Sequence, residues 1–253
     1  MSWFPFGAGS AGAWLRLFCF PYAGSGASVY FKWPGAFPQR IAICPVQSPG
    51  RENRWGEPPI DDIERLLDRL ADAVLPHLDR PYALFGYSLG ARLAFALTHR
   101  LRQRGAPGPV RLIVAANRDP ASPPLRAGLH RLPEPEFLAY LRELGGTPDK
   151  VLEDRLLVEL LMPLLRADFA LAEAAVPLDP VSCPITACSG REDSAAPPEL
   201  VSGWSRFTSA DFVMHTFPGG HFFLREQTAA LIDVVIRDLQ RDLDRLPGPA
   251  LGE

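Results

Sequence analysis

The pentapeptide Gly86-Tyr87-Ser88-Leu89-Gly90 constrains the fold of this chain more than any other segment. It lies between an apolar run that ends at Phe85 and the helix-like stretch 91–97. A serine with glycine two positions before it and two after it, between a strand and a helix, is the pattern of a nucleophile elbow. Such a turn brings backbone segments so close that only small residues fit beside it. The pattern predicts a nucleophilic Ser88 above a sheet, and an ordinary glycine-flanked turn is the alternative.

Composition and charge limit the class of protein. The 253 residues are 47% hydrophobic and 22% charged, which is typical of a globular protein with a large core. A formal net charge of -3 gives no general attraction to nucleic acid or to an anionic membrane, so we expect neither as a partner. The N-terminal apolar residues have no basic residue before Arg16 and are interrupted by Pro5, which makes a poor secretory signal. We therefore expect a cytoplasmic protein. We also expect it to be a monomer.

The four cysteines are Cys19, Cys44, Cys183 and Cys188. Three of them lie in or beside apolar strand-like runs, and no pair has C-x-x-C spacing. Neither a zinc site nor a redox pair is indicated by this distribution. Buried free thiols in a reducing compartment are expected rather than disulfides.

Short apolar runs alternate with helical patterns along most of the chain. The runs predicted as strands are 15–20, 41–46, 82–85, 110–116, 185–188 and 212–217. Helices are predicted over 63–78 with Asp61 or Asp62 as N-cap, from the elbow to about Arg104, and from about Thr228 to Leu246. This alternation predicts an α/β fold in one domain over 1–253, with a mostly parallel sheet covered on both faces. The tail 247–253 is expected to be disordered.

Residues 123–176 break the alternation, because they show only helical periodicity. One apolar stripe runs from Phe137 to Leu144, and a second, wider stripe runs from Leu156 to Phe169. Pro163 lies inside the second stripe and is expected to kink that helix or divide it in two. A helical insertion downstream of the elbow predicts a lid over an active site. The alternative is an extra helical layer packed on the sheet.

A serine hydroxyl is a poor nucleophile until a base takes its proton. Among the five histidines, His221 follows the loop 217–220 where the chain leaves a predicted strand. The carboxyl ends of parallel strands are where α/β sheets present catalytic groups, so His221 is the predicted base. The other four lie within helical patterns, the insertion or a strand: His77, His99, His130 and His215.

The third catalytic group should be a carboxylate that orients the imidazole. In this fold the expected chain order is serine, acid, histidine. Asp193 follows the strand that ends at Cys188 and fits this order. Two alternatives remain open, the adjacent Glu192 and Asp119 one strand earlier.

A glycine-rich loop after the first strand, Phe20 to Gly26, predicts the second donor of an oxyanion hole. The amide of Tyr22 or Ala23 would act together with that of Leu89. The loop lacks the lysine of a P-loop and the full dinucleotide pattern, which argues against phosphate binding.

Together these residues resemble the type II thioesterases of polyketide and nonribosomal peptide synthesis. The segments that carry the resemblance are 17–24, 47–54, 86–90, 165–169 and 217–224. The resemblance implies an α/β-hydrolase fold with a helical lid at 123–176. It also implies Ser88, Asp193 and His221 as the catalytic triad, with the Ala23 and Leu89 amides as the oxyanion hole.

The resemblance implies hydrolysis of acyl thioesters on the phosphopantetheine arm of an acyl or peptidyl carrier protein, without a metal or redox cofactor. The implied role is to clear aberrant or stalled acyl groups from a synthase. A fatty acyl-carrier thioesterase or general esterase that ends chain growth is one alternative, and a non-catalytic carrier-binding protein is another. Arg51 and Arg54 are candidates for contact with an acidic carrier protein. Tyr87 and Leu89 stand where the family usually has histidine and methionine, which leaves the acyl preference open.

Overall fold

Six parallel strands form one sheet in a computed structural model that describes residues 2–9, 12–124 and 126–246. The strands are β1 (Leu15–Phe20), β2 (Ile41–Pro45), β3 (Tyr82–Tyr87), β4 (Arg111–Ala115), β5 (Ile185–Gly190) and β6 (Phe212–Phe217). Their order in the sheet is β2-β1-β3-β4-β5-β6, and every neighbouring pair is parallel. The predicted parallel α/β sheet is confirmed. The tail 247–253 lies outside the described residues.

Five of the six strands are buried along their whole length, which explains why they are continuous apolar runs in the sequence. Only β6, at the edge of the sheet, is mostly half-buried. β3 extends beyond the predicted 82–85 because Gly86 still pairs with Phe20 on one side and Val114 on the other. This extension brings the end of β3 directly to Ser88.

Helices cover both faces of the sheet. On one face α1 (Ile63–Val74) and α2 (Leu89–Gln103) pack against the strand side chains that point to that face, such as Phe18. On the other face α8 (Thr228–Leu243) packs against the alternate residues such as Leu17. Two short helices, α6 (Pro198–Val201) and α7 (Phe223–Glu226), follow β5 and β6 respectively. No helix among the described residues is long and apolar enough to cross a membrane.

The insertion contains α3 (Glu134–Leu144), α4 (Asp149–Glu153) and α5 (Arg155–Glu173), with its own apolar cluster around Phe137 and Phe169. Pro163 is expected from the sequence to kink the helix or divide it; the division is wrong, since α5 runs through it without interruption, and the kink stays a prediction. Pro163 and Glu159, whose carbonyl loses its helical donor, are both exposed. Water can satisfy that carbonyl, so the helix continues.

The N-terminus of α1 settles which aspartate caps it. Asp62 is the N-cap, and its Oδ1 accepts a hydrogen bond of 2.7 Å from the Arg65 amide. The helix ends at Val74 and continues only as a 3₁₀ turn over Leu75–His77, which contains Pro76. The predicted helix 63–78 is thus shortened where proline lacks a donor.

We expect Asp62→Ala to lower the free energy of unfolding by about 1 kcal/mol, because the Arg65 amide loses its acceptor. The matched control is Asp61→Ala, an exposed neighbour without a capping contact, which should change stability by less than about 0.5 kcal/mol. Urea denaturation measures the free energy of unfolding of both variants. Equal losses for the two would contradict the capping assignment.

Candidate active site

Ser88 lies in a strained turn between β3 and α2. Its φ of 53° and ψ of -117° are rare for a residue with a side chain. A Cβ at Gly86 would overlap the Gly90 carbonyl, and a Cβ at Gly90 would overlap the Phe20 carbonyl oxygen. The two flanking glycines are therefore required by backbone contacts, as the sequence pattern predicts.

Hydrogen bonds from the neighbouring strand hold this turn in place. The Ser88 amide donates to the Ala115 carbonyl at 2.8 Å. The Asn117 side chain donates to the Ser88 carbonyl at 2.9 Å, and Trp204 donates to the Asn117 carbonyl at 2.8 Å. The strained conformation is thus fixed by partners on both its amide and its carbonyl.

The structure brings together the three side chains that the sequence predicted to act together, those of Ser88, Asp193 and His221. Nε2 of His221 lies 3.0 Å from the Ser88 hydroxyl oxygen. Nδ1 of the same ring lies 2.9 Å from Oδ2 of Asp193, which is 2% exposed. The other carboxylate oxygen of Asp193 accepts from the amides of Ala195 and Ala196 at 2.8 and 2.9 Å. These two bonds turn the carboxylate so that Oδ2 faces the imidazole.

Among the described residues, neither alternative acid forms a hydrogen bond or ion pair with His221. Glu192 accepts from the Gly219 amide at 2.5 Å and so supports the loop that carries the histidine. Asp119 accepts from the Ser122 hydroxyl at 2.6 Å and pairs with Arg206 at 3.2 Å.

Ala23 and Leu89 both line the cavity that contains Ser88 and His221. Within the described residues, neither of their amides donates a hydrogen bond to the protein. The next amide, that of Gly24, donates to Asp168 on α5 at 2.7 Å. The loop after β1 therefore offers one amide to the helical insertion and leaves the preceding one available.

Asp168 also forms a buried ion pair with Arg51, one of the two arginines expected above to contact a carrier protein. Two nitrogens of the Arg51 guanidinium donate to the two carboxylate oxygens at 2.9 and 2.8 Å. The predicted carrier contact is wrong for Arg51 and for Arg54, because the two residues are buried, at 6% and 3% exposed. Arg54 donates to the Gln47 carbonyl and pairs with Glu57. Both arginines hold loops together, and the loop composition alone gave no sign of it.

Tyr87 contributes a contact that sequence reasoning missed. Its buried hydroxyl donates to the His221 carbonyl at 2.6 Å and accepts from the Leu224 amide at 3.2 Å. Burial raises the pKa of this phenol, so it remains a donor. The sequence marks Tyr87 only as a departure from the family's usual histidine.

Two cavities meet at Ser88 and His221. The larger one extends under the insertion, and the residues that line it include Arg92, Arg118, Tyr140, Phe169 and Glu173. The smaller one has a mainly apolar and aromatic lining that includes Tyr22, Leu141, Leu165, Phe169 and Phe222. A substrate bound across the serine can therefore extend in two directions.

None of the four cysteines lines either cavity. All four cysteines are buried and free, and burial raises the pKa of Cys44 and of Cys183 to about 12. They are inert thiols in the core. No group of three or more histidines, cysteines and acidic residues that could hold a metal is found in the described ranges.

The sequence of this chain is similar to those of known thioesterases. The profile of the thioesterase domain family matches residues 15–239. The gramicidin S biosynthesis protein GrsT of Aneurinibacillus migulanus is 36% identical over 94% of this chain and 94% of its own length. The medium-chain S-acyl fatty acid synthase thioesterase of Homo sapiens is 32% identical over 84% of this chain and 82% of its own.

Solved structures agree with these relatives. The type II thioesterase BorB from the borrelidin biosynthetic cluster superposes with a TM-score of 0.82 at 34% identity, covering 92% of this chain and 96% of that one. The predicted resemblance to type II thioesterases is confirmed. The chain belongs to the thioesterase family and has its α/β-hydrolase fold.

Proposed function

We propose that this thioesterase hydrolyses acyl groups from the phosphopantetheine arm of acyl or peptidyl carrier proteins and so clears aberrant or stalled chains from a polyketide or nonribosomal peptide synthase. Ser88, His221 and Asp193 would be its catalytic triad, and the insertion 123–176 its lid. The protein would work as a monomer in the cytoplasm. The observation that carries the proposal is His221, with Ser88 3.0 Å from one ring nitrogen and Asp193 2.9 Å from the other.

In the first half-reaction His221 Nε2 takes the Ser88 proton while Oγ bonds to the thioester carbonyl carbon. The carbonyl π electrons move to oxygen, and the amides of Leu89 and Ala23 bind that oxyanion. When the intermediate collapses, the C–S bond breaks and the imidazolium protonates the leaving thiolate. The products are an acyl ester on Ser88 and the free pantetheine thiol.

In the second half-reaction a water molecule replaces the thiol. His221 takes one water proton as the oxygen attacks the ester carbonyl, and the same two amides bind the second oxyanion. Collapse breaks the bond from the acyl carbon to Oγ, and His221 returns its proton to the serine. Asp193 holds the imidazole in the productive tautomer and stabilises the imidazolium in both steps.

We expect Ser88→Ala to lower kcat for acyl-carrier thioesters by at least about 10³-fold, because nucleophilic attack is lost. Ser122→Ala is the matched control, since Ser122 lines the same cavity but donates to Asp119, and it should retain activity. A fluorophosphonate probe should label the wild type and Ser122→Ala but not Ser88→Ala. Full turnover or full labelling of Ser88→Ala would refute the triad assignment.

The similarity to a medium-chain fatty acid synthase thioesterase favours a second candidate function, release of fatty acyl chains. Short acyl and aminoacyl groups on carrier proteins, medium-chain acyl-carrier substrates and simple oxygen esters should be compared in one assay. The proposal expects the highest kcat/KM for the short carrier-bound groups. A preference for medium chains by ten-fold or more would favour the fatty acyl function, and a preference for oxygen esters would favour a general esterase.

We expect Tyr87→Phe to lower kcat by about ten-fold with little change in KM. The loop that carries His221 loses a buried hydrogen bond to its carbonyl, and small displacements of a catalytic base are costly. The matched control is Tyr82→Phe, which removes a similar buried bond of 2.7 Å to the Pro107 carbonyl at the opposite end of β3. Tyr82→Phe should lose stability but keep its kcat. Equal kcat in the two variants would show that Tyr87 is only structural.

A further inference from the structure

Arg225 lies at the rim of the smaller cavity, close to His221. It belongs to α7, the short helix that begins two residues after that histidine. The guanidinium carbon of Arg225 is 4.7 Å from the centre of the Phe222 ring and 5.9 Å from that of the Tyr22 ring. Both rings line the smaller cavity. Arg225 is itself exposed, so its charge lies in water at the edge of this cavity.

A hydrogen bond to the insertion fixes the position of this guanidinium. Nη2 of Arg225 donates to the Gly146 carbonyl, in the loop between α3 and α4, at 2.9 Å. Gly146 packs so closely on Phe222 that a Cβ at this glycine would lie 2.5 Å from the ring. Gly146 also lines the smaller cavity. The rim therefore forms where the segment after His221 meets the insertion, and Arg225 joins the two.

The guanidinium is held in place while several of its donors stay unused. A guanidinium carries five N–H groups. Among the described residues, Nε and Nη1 of Arg225 donate no hydrogen bond to the protein, and no carboxylate forms an ion pair with this side chain. The adjacent acid, Glu226, has its carboxylate beside Gly219, where Oε2 would lie 3.6 Å from a Cβ. An exposed cation with a fixed position and free donors is suited to bind an anion.

The length of a pantetheine arm agrees with the position of Arg225. Nε2 of His221 lies 3.0 Å from Ser88 Oγ, and the centre of the His221 ring is 5.1 Å from that of the Phe222 ring. The Arg225 guanidinium follows at 4.7 Å from the Phe222 ring. From sulfur to phosphorus the arm is about as long as four extended residues, roughly 14 Å. With the thioester at Ser88, the phosphate can therefore reach the rim of the smaller cavity.

We propose that Arg225 binds the phosphate of the phosphopantetheine arm, with the arm in the smaller cavity and the acyl group in the larger one. This inference rests on the proposed thioester hydrolysis and names a residue that positions its substrate. Guanidinium groups bind phosphate through short, charge-assisted hydrogen bonds. The arm carries two amides, and Tyr22 and Thr147 bring hydroxyl groups to the lining of the smaller cavity. Because every carrier-bound substrate has this phosphate, Arg225 would recognise the arm whatever acyl group it carries.

The test compares two small substrates that differ only in the phosphate. Acetyl-pantetheine and acetyl-phosphopantetheine share the acyl group, the sulfur and the arm, and an acetylated carrier protein adds the natural phosphate diester. Wild-type enzyme should have a kcat/KM about five-fold or more higher for acetyl-phosphopantetheine than for acetyl-pantetheine. This ratio should fall as the salt concentration is raised, because the contact is exposed to solvent.

Arg225→Gln should lower this ratio to about one, while kcat/KM for acetyl-pantetheine changes by less than about three-fold. Arg225→Lys should restore part of the ratio, since it keeps the charge but not the paired donors of a guanidinium. The matched control is Arg237→Gln, which removes another exposed arginine, on α8, that lines neither cavity. This control should leave the ratio unchanged.

Equal kcat/KM for the two small substrates in wild-type enzyme would overturn the inference. So would an equal loss for both in Arg225→Gln, because that pattern shows that the arginine only holds the rim together. An effect of Arg225→Gln on the acetylated carrier protein alone would also overturn it, since the arginine would then contact the carrier's surface. If wild-type enzyme hydrolyses none of the three thioesters although Ser88 reacts with the fluorophosphonate probe, the proposed function itself fails.

Discussion

The close backbone contact at Gly90 is the constraint on which the rest of the site depends. A Cβ there would overlap the carbonyl oxygens of Phe20 and Pro21, so the first turn of α2 is seated directly on the end of β1. The loop that begins at Pro21 supplies one proposed oxyanion amide, and α2 begins with the other, that of Leu89. This one contact between two backbone segments thus sets the distance between the two proposed oxyanion amides. The strain at Ser88 is the local cost of this arrangement, and the bonds to Ala115 and Asn117 offset it.

A second set of contacts connects the insertion to the same loop. Asp168, in the middle of α5, accepts from the Gly24 amide and from Arg51 with one carboxylate oxygen and from Arg51 again with the other. A buried ion pair contributes little net stability, because desolvation of both charges opposes their attraction. The geometry of this ion pair is specific, however. The carboxylate oxygens of Asp168 accept hydrogen bonds only from donors placed at particular positions, here the Gly24 amide and the Arg51 guanidinium. The placement of α5 and the shape of the loop beside Ser88 are therefore determined together.

The sequence predicted the parts of the structure that depend on local pattern. All six strands, the elbow, the capping of α1 by one of two aspartates, and the meeting of Ser88, Asp193 and His221 follow from periodicity, turn chemistry and the rule that parallel strands present residues at their carboxyl ends. Two of the contacts that sequence reasoning missed join distant segments. Arg51 and Asp168 are 117 positions apart, and Tyr87 and His221 are 134 apart. A loop arginine is predicted to be solvated when its partner is not known. Pro163 is likewise predicted to break a helix when its exposure is not known.

The charges around Ser88 limit what a neighbouring charge can contribute to the proposed reaction. In the proposed mechanism each half-reaction would create an oxyanion at the two amides and an imidazolium at His221, so the reacting centre would gain no net charge. A cationic neighbour stabilises the first and destabilises the second, and the two effects oppose each other at short range. Asp193, held by the Ala195 and Ala196 amides, already compensates the imidazolium. Arg92 and Arg118 therefore contribute little to the chemical step through their charge.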